Sequence, residues 1–253
     1  MNHQEKQGNK TMAWNIKEID ATENHNMNNS DFFIAIYTNE CKSYCDEIFF
    51  NHLLCNTDVS GAMIRMVDNS IGRDYFEKLR EIRSRNINSG NNFNILIHHI
   101  DVSRDNPETL FLRNVTESVN LLRKMFLESD CKYFVILESD VLPTTNWLNL
   151  LEKHTDKYDI IGGIYYHGFH SAELFDHPDL IQPSSHILSG CTLYKREVIE
   201  EFPFRWNSKN RNAFPDAWIC HDAGHKYKFA NYSAVKCLHL TKLNGSRGLE
   251  DLK

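Results

Sequence analysis

No run in the 253-residue sequence approaches the roughly 20 apolar residues of a bilayer-spanning helix. The opening residues are polar, without a basic stretch leading into an apolar core, so a secretory signal is not read there either. A soluble, cytoplasmic protein is expected. Excess positive charge is also missing: 28 Lys and Arg stand against 34 Asp and Glu, giving a net charge of −6. Non-specific binding to a nucleic-acid backbone or an anionic membrane over the whole surface is thereby disfavoured, while a local basic patch is not excluded. Seven cysteines are an odd number, and none form a C-x-x-C pair. Neither a disulfide framework nor a zinc knuckle is supported, and mostly reduced thiols are expected. Internal repeats are lacking, as is any shift in composition after residue 30. The prediction is a single domain over residues 31–253 behind a polar, flexible leader at residues 1–30, rich in Asn, Gln, Glu and Lys.

What is present is an alternation of apolar runs and amphipathic stretches. Phe32 to Thr38 predicts a strand, followed by a helix carrying Tyr44, Ile48, Phe49 and Leu53. Gly61 to Val67 and Asn94 to Ile100 read as further strands. Helices are predicted over Asp74 to Ile82 and over Glu108 to Glu128, the latter with Leu112, Val115, Val119, Leu122, Met125 and Phe126 on one stripe. Tyr133 to Leu137 is a fourth strand, apolar on both faces and hence of the buried, parallel-sheet kind. Beyond it come a short helix at Trp147 to His154, strands at Asp159 to Tyr166 and Ile187 to Leu193, and a helix at Glu197 to Phe202. A last helix is expected from Asp216 to His225, capped by Asp216 and closed at Gly224. The polar, aromatic segment from His167 to His186, broken by two prolines, reads as a long working loop. Its histidines His167, His170, His177 and His186 lack the tight pairing of a zinc site. Strands alternating with helices imply an α/β fold with a mainly parallel central sheet and right-handed crossovers.

The most informative stretch is Tyr133-Phe134-Val135-Ile136-Leu137-Glu138-Ser139-Asp140-Val141-Leu142-Pro143. Ligands gather beyond the carboxyl ends of parallel strands, and this run delivers two carboxylates, one residue apart, to that place. Residues i and i+2 share a face, so Glu138 and Asp140 can converge on one hard cation, with Pro143 stopping the strand. Asp68-Asn69-Ser70 closes the second strand, and its carboxylate suits either an Asx turn or the imide N–H of a uracil. Trp147, Tyr165, Tyr166, Phe169, Trp206 and Trp218 supply flat rings that stack on sugars or fill a core. Gly162-Gly163 and Gly190 are read as standing at strand ends, where a ligand or another backbone can approach closely.

The order of these pieces, with Arg113-Asn114 in the long helix, Gly190-Cys191-Thr192-Leu193-Tyr194, Asp216 and a late His239, resembles a GT-A fold glycosyltransferase of the inverting family 2 type. The likeness covers roughly residues 31 to 242. It implies a Rossmann-like three-layer α/β/α domain that uses a nucleotide-sugar donor, UDP-linked, and Mn²⁺ or Mg²⁺. Glu138-Ser139-Asp140 corresponds to the family's Asp-X-Asp motif with Glu in place of the first Asp, leaving Asp140 as the direct metal ligand and His239 as the residue completing the metal site. Thr38, Asn39 and Glu40 would lie along the nucleotide and Asp68 on its base. Arg113 and Asn114 would stand near the diphosphate and sugar, and Gly190 against the sugar. Asp216 would be the general base, with Asp222 in reserve. The acceptor is left open among a glycan, a protein side chain, a lipid-linked sugar and a modified base. Two rivals remain. A nucleotidyltransferase shares the sheet and the acidic pair, but it opens with a Gly-rich, basic loop that Thr38-Asn39-Glu40 is not. A nucleotide-sugar binding module without turnover is hinted at by Glu138 alone.

Overall fold

A computed structural model of the protein describes residues 30–55, 59, 61–88, 95–100, 107–165, 172–207 and 214–241. Residues 1–29 of the leader and the positions of Tyr166, His167, Phe169 and His170 lie outside the described residues. The chain alternates strand and helix through its first half: β1 (Phe32–Thr38), α1 (Asp46–Cys55), β2 (Met63–Asp68), α2 (Asp74–Asn88), β3 (Ile95–His99), α3 (Pro107–Leu127) and β4 (Tyr133–Leu137). The second half holds β5 (Val141–Pro143), α4 (Trp147–Glu152), β6 (Ile160–Tyr165), α5 (Ala172–Asp176), β7 (Ile181–Ser184), β8 (Cys191–Lys195), α6 (Arg196–Glu201), α7 (Pro215–Ala223) and β9 (Phe229–His239).

One sheet runs in the order β3-β2-β1-β4-β8-β6-β9-β5, with β7 also on β9. β1, β2, β3 and β4 are mutually parallel, β6 and β9 run the same way, and β5, β7 and β8 run against them. Mostly parallel strands are therefore what the structure has. Alternate residues of each central strand feed two cores, since side chains of period two point to opposite faces. Ile34, Ile36, Val135 and Leu137 meet Phe49 and Leu53 of α1, Tyr75, Phe76, Leu79 and Ile82 of α2, and Trp147 and Leu151 of α4. Phe33, Ala35, Phe134 and Ile136 meet Val115, Val119, Leu122 and Phe126 of α3, Val198 and Ile199 of α6, and Ile219 and Ala223 of α7. This is the three-layer α/β/α arrangement. Phe134 is fully buried against the rings of Phe33, Phe126, Tyr194 and Phe204; its truncation to alanine would cost about 3–5 kcal/mol.

Several local expectations are corrected. Pro143 does not stop β4, which ends at Leu137; it closes the separate strand β5, antiparallel to β9. The expected loop between His167 and His186 contains α5 and β7 within its described part, and Ser233 anchors its edge through hydrogen bonds with Leu180. Gly162 and Gly163 lie inside β6 rather than at a ligand-facing end. A Cβ at Gly162 would strike Ile187, and one at Gly163 would come within 2.8 Å of Cys237 Sγ, beside a break in the β6–β9 register. Their smallness serves packing. Trp147 and Tyr165 are likewise core residues. The described cysteines Cys41, Cys45, Cys131, Cys191, Cys220 and Cys237 are free thiols, all but Cys41 buried.

Candidate active site

The carboxyl ends of β1, β2 and β4 define the site. Glu138 follows β4, and because β4 lies against β8 with Leu137 opposite Cys191, its N–H donates to Gly190 O at 2.9 Å. The N–H of Val141 returns to Glu138 O at 3.0 Å, closing a β-turn through Ser139 and Asp140. That turn, and not strand alternation, brings the two carboxylates together. β5 then pairs Val141 with His239 at the end of β9, and Leu240 N donates to Asp140 O at 2.7 Å. The late histidine thus arrives beside Asp140, with Nε2 at 3.4 Å from Oδ2. One ligand atom from each of Glu138, Asp140 and His239 lies within 4.8 Å of the others. Two carboxylates and an imidazole suit Mn²⁺ or Mg²⁺, whose bonds of about 2.1 Å would require the three side chains to draw slightly together around the ion.

A third group stands among them. The Lys42 ammonium donates to Asp140 Oδ1 at 2.7 Å and to Glu138 Oε2 at 3.1 Å. Lys42 belongs to a 3₁₀ turn, Glu40–Lys42, whose first N–H groups are tied by Asn39: its side chain accepts from Cys41 N and its carbonyl from Lys42 N. Burial alone would push Lys42 down, but Glu138 and Asp140 outweigh it and hold the ammonium well above the ordinary lysine range. Burial likewise pushes Asp140 up, and His239 with Lys42 turns the balance so that its carboxyl sits below the usual value. The hydrogen bond to Asp140 raises His239.

On the α7 side, Glu138 Oε1 accepts from Tyr37 OH at 2.7 Å and from Ser189 Oγ at 3.1 Å. Ser189 also offers its backbone N–H to Asp216 Oδ2 at 3.2 Å, so one serine joins Glu138 to Asp216. Asp216 is buried and takes a second N–H, from Ala217, at 2.7 Å. Burial pushes its carboxyl above the ordinary value; the two N–H groups oppose this and the nearby Glu138 adds to it. The expectation that Asp216 caps α7 is corrected, because Phe214 is the N-cap, Pro215 opens the helix and Asp216 lies in its first turn. Gly224 does close the helix, in right-handed conformation.

The remaining expected residues divide. Thr38 is buried at the end of β1, within 3.0 Å of Ser139 Oγ, which donates to it, and 3.2 Å of Tyr75 OH. Asn39 and Glu40 form the turn above it, where Glu40 N donates to Ser70 Oγ at 2.8 Å. Asp68, opposite Thr38 in the sheet, is fully buried. One of its oxygens accepts from Ser70 N at 2.9 Å in an Asx turn, and the other meets His99 Nδ1 at 2.8 Å. Arg113 bonds Glu117 one turn along α3 at 2.8 Å, and Asn114 is buried beside it. Gly190 is demanded by Tyr165, whose hydroxyl a Cβ there would strike. Asp222 is apart from the cluster: Arg205 grips both its oxygens at 2.5 and 2.6 Å while lying 3.9 Å over the Trp218 ring. Tyr37, Lys42 and Ser189 were not anticipated. The available signal was a lysine four residues past one strand end and a serine directly before the glycine opposite Glu138.

This sheet order, with an acidic pair just past β4 and two helical layers, is the GT-A glycosyltransferase fold. Among solved structures, the chain is similar to TarS of S. aureus in complex with UDP-GlcNAc, at 12% identity and a TM-score of 0.56, over 88% of this chain and 63% of that one. It is also similar to the mannosyltransferase PcManGT of Pyrobaculum calidifontis in complex with GDP-Man and Mn²⁺, at 14% identity and a TM-score of 0.56, over 94% of this chain and 62% of that one. The chain thus spans less than two thirds of either. At such identities the likeness is one of fold. No protein-family model matches the chain, and no curated protein matches it. Among the described residues no helix is long and apolar enough to cross a membrane.

Proposed function

We propose that this chain is a glycosyltransferase that moves a sugar from a nucleoside diphosphate donor, UDP-linked, to an acceptor hydroxyl with inversion, dependent on Mn²⁺ or Mg²⁺. The observation that carries the reading is the convergence of Glu138, Asp140 and His239 beyond β4, with buried Asp216 joined to Glu138 through Ser189. Breaking the bond between the anomeric carbon and the diphosphate leaves charge on phosphate oxygen. A divalent ion held by Asp140 and His239, with Glu138 beside them, would neutralise that charge.

The chain's own residues supply the rest. Asp216 takes the proton of the acceptor hydroxyl as that oxygen attacks the anomeric carbon, and a carboxyl raised by burial is the better base for it. Tyr37 and Ser189 fix Glu138 by two hydrogen bonds, so the acidic pair keeps its spacing without reorganising during transfer. We assign Thr38, Asn39 and Glu40 to the nucleotide, Ser139 and Gly190 to the shape of the sugar pocket, and Arg113 with Asn114 to the diphosphate side. Asp68 would have to release Ser70 or His99 to reach a base, so its contribution to base recognition acts first through the turn it holds. Residues 31–253 are read as one catalytic domain, and its buried free thiols suit a reducing, cytoplasmic setting. Acceptors remain those with a hydroxyl on a glycan, protein, lipid-linked sugar or modified base.

The test is UDP-sugar hydrolysis and transfer in EDTA and after adding Mn²⁺. Turnover should vanish in EDTA and return with the ion. Full turnover in excess EDTA would refute metal dependence.

A further inference from the structure

Lys42 is not a solvated surface lysine. Its side chain is only 15% exposed and its ammonium spans both carboxylates of the acidic pair. Its backbone is held at three points: its N–H donates to Asn39 O at 2.9 Å, and its carbonyl accepts from Cys45 N at 3.1 Å and from Cys45 Sγ at 2.9 Å. Cys45 Sγ also lies 3.3 Å from Ser139 O, inside the acidic turn itself. The Tyr37 ring, whose hydroxyl holds Glu138, passes 5.6 Å from the ammonium. The lysine is therefore built into the site by the same residues that build the acidic pair.

Its position has a chemical consequence. Asp140 Oδ1 and Glu138 Oε2 are the oxygens the ammonium occupies, while Oε1 of Glu138 is taken by Tyr37 and Ser189. A divalent ion entering between Glu138, Asp140 and His239 meets a positive charge already seated on its ligands. Like charges at such separations repel strongly in a partly buried site, so the ammonium must leave the carboxylates as the ion arrives. An ammonium is a compact point charge on a flexible four-carbon stem, and phosphate oxygens are the partners to which it can turn.

We infer that Lys42 is a resident counter-cation of the acidic pair, competing with the divalent ion before the donor binds and moving onto the diphosphate of an incoming donor. This inference rests on the metal site proposed above. The donor thereby opens the carboxylates to the ion, and diphosphate and metal favour each other's binding. Lys42 is then a donor-binding residue in the charged complex and a guard of the metal ligands without it.

The experiment compares the full chain with Lys42→Met and with Lys42→Arg, which keeps the charge, by titrating Mn²⁺ alone without nucleotide and UDP alone in EDTA. Binding is read by calorimetry, and melting curves establish that each variant is folded. Lys42→Met should bind Mn²⁺ at least tenfold more tightly than the wild type and UDP at least threefold more weakly, while Lys42→Arg stays within about threefold for Mn²⁺. A lysine that merely supports the fold would weaken both ligands or neither. Equal or weaker Mn²⁺ binding by Lys42→Met overturns the inference and leaves the metal site standing. Should Lys42→Met fail to fold, Lys42→Gln takes its place with the same thresholds. Absence of Mn²⁺ binding by every protein, wild type included, overturns the metal site and this inference together.

Discussion

Replacing Asp216 by asparagine separates chemistry from structure at one side chain. As a general base, the carboxylate should be worth on the order of 10²–10⁴ in rate. Structurally, Asp216 accepts from Ala217 N at 2.7 Å and from Ser189 N at 3.2 Å. Asparagine keeps one acceptor oxygen, so the shorter bond survives and the Ser189 N–H loses its partner, at about 1–3 kcal/mol. Removal of a buried charge works in the opposite direction. At about 2–4 °C per kcal/mol for a domain of this size, the melting temperature should fall by less than about 10 °C. Donor affinity, which rests on other residues, should change by less than about twofold. The pH dependence gives a second reading. Because burial first, and then the charge of Glu138, raise this carboxyl above its ordinary 3.8 against the two N–H groups, its stabilising contribution is full below 3.8 and is lost as pH rises through the raised value. The asparagine variant should therefore gain on the wild type in melting temperature as pH rises through that window, while wild-type turnover climbs over the same range. Turnover, binding and melting are measured on the same preparations. A near-normal rate with a lowered melting point would refute the base assignment. Asp222→Asn is the control: it removes the charge from a partly exposed, two-bonded pair with Arg205, so it should cost about 1–2 kcal/mol and leave the rate within about threefold.

Four further outcomes are expected. Asp140→Asn should weaken Mn²⁺ binding at least tenfold and abolish transfer with the circular dichroism spectrum unchanged; retention of both would move the metal elsewhere. Ser189→Ala removes the hydroxyl on Glu138 but keeps the backbone N–H on Asp216, so turnover should drop about threefold to tenfold, the worth of one hydrogen bond of about 0.5–1.5 kcal/mol; an unchanged rate would reduce the serine to packing. Asp68→Ala removes the oxygens that Ser70 N and His99 Nδ1 meet in a fully buried place and should cost about 2–4 kcal/mol. UDP should raise the melting point of the wild type more than ADP at equal concentration, and equal shifts by both nucleotides would confine Asp68 to its turn.

Most of the architecture was legible in local pattern. The apolar runs at Phe32, Tyr133 and Ile160 and the stripe on α3 are periodicities of two and 3.6 that a partly or wholly buried element must carry. What was not legible depends on pairings between distant segments. Nothing near Pro143 says that residues 141–143 pair with the end of β9, so a proline compatible with a short outer strand reads as a stop. An Asp following Pro215 fits a cap by composition, yet the proline itself takes the first helical position and displaces the cap to Phe214. The pair Gly162-Gly163 carries the signature of close approach without saying what approaches; side chains of Ile187, Val235 and Cys237 do.

The same distinction accounts for the site. Glu138 and Asp140 announce themselves because their chemistry is concentrated in three residues, but each is finished by a partner some 50 to 100 positions away: Ser189 and Tyr37 for the first, Lys42 and His239 for the second. Two antiparallel pairings make this possible. β8 enters beside β4 and carries Ser189 to Glu138, while β5 captures the end of β9 and carries His239 to Asp140. Both pairings lie in the half of the sheet where the direction of strands reverses, and the parallel half supplies Tyr37 and Lys42 from the end of β1. The acidic turn is thus the seam between two differently wound halves of one sheet, and the contacts made there hold the carboxylates close together. A change that loosens β5 from β9 should for that reason disturb Asp140 and His239 before it disturbs Glu138 and Asp216.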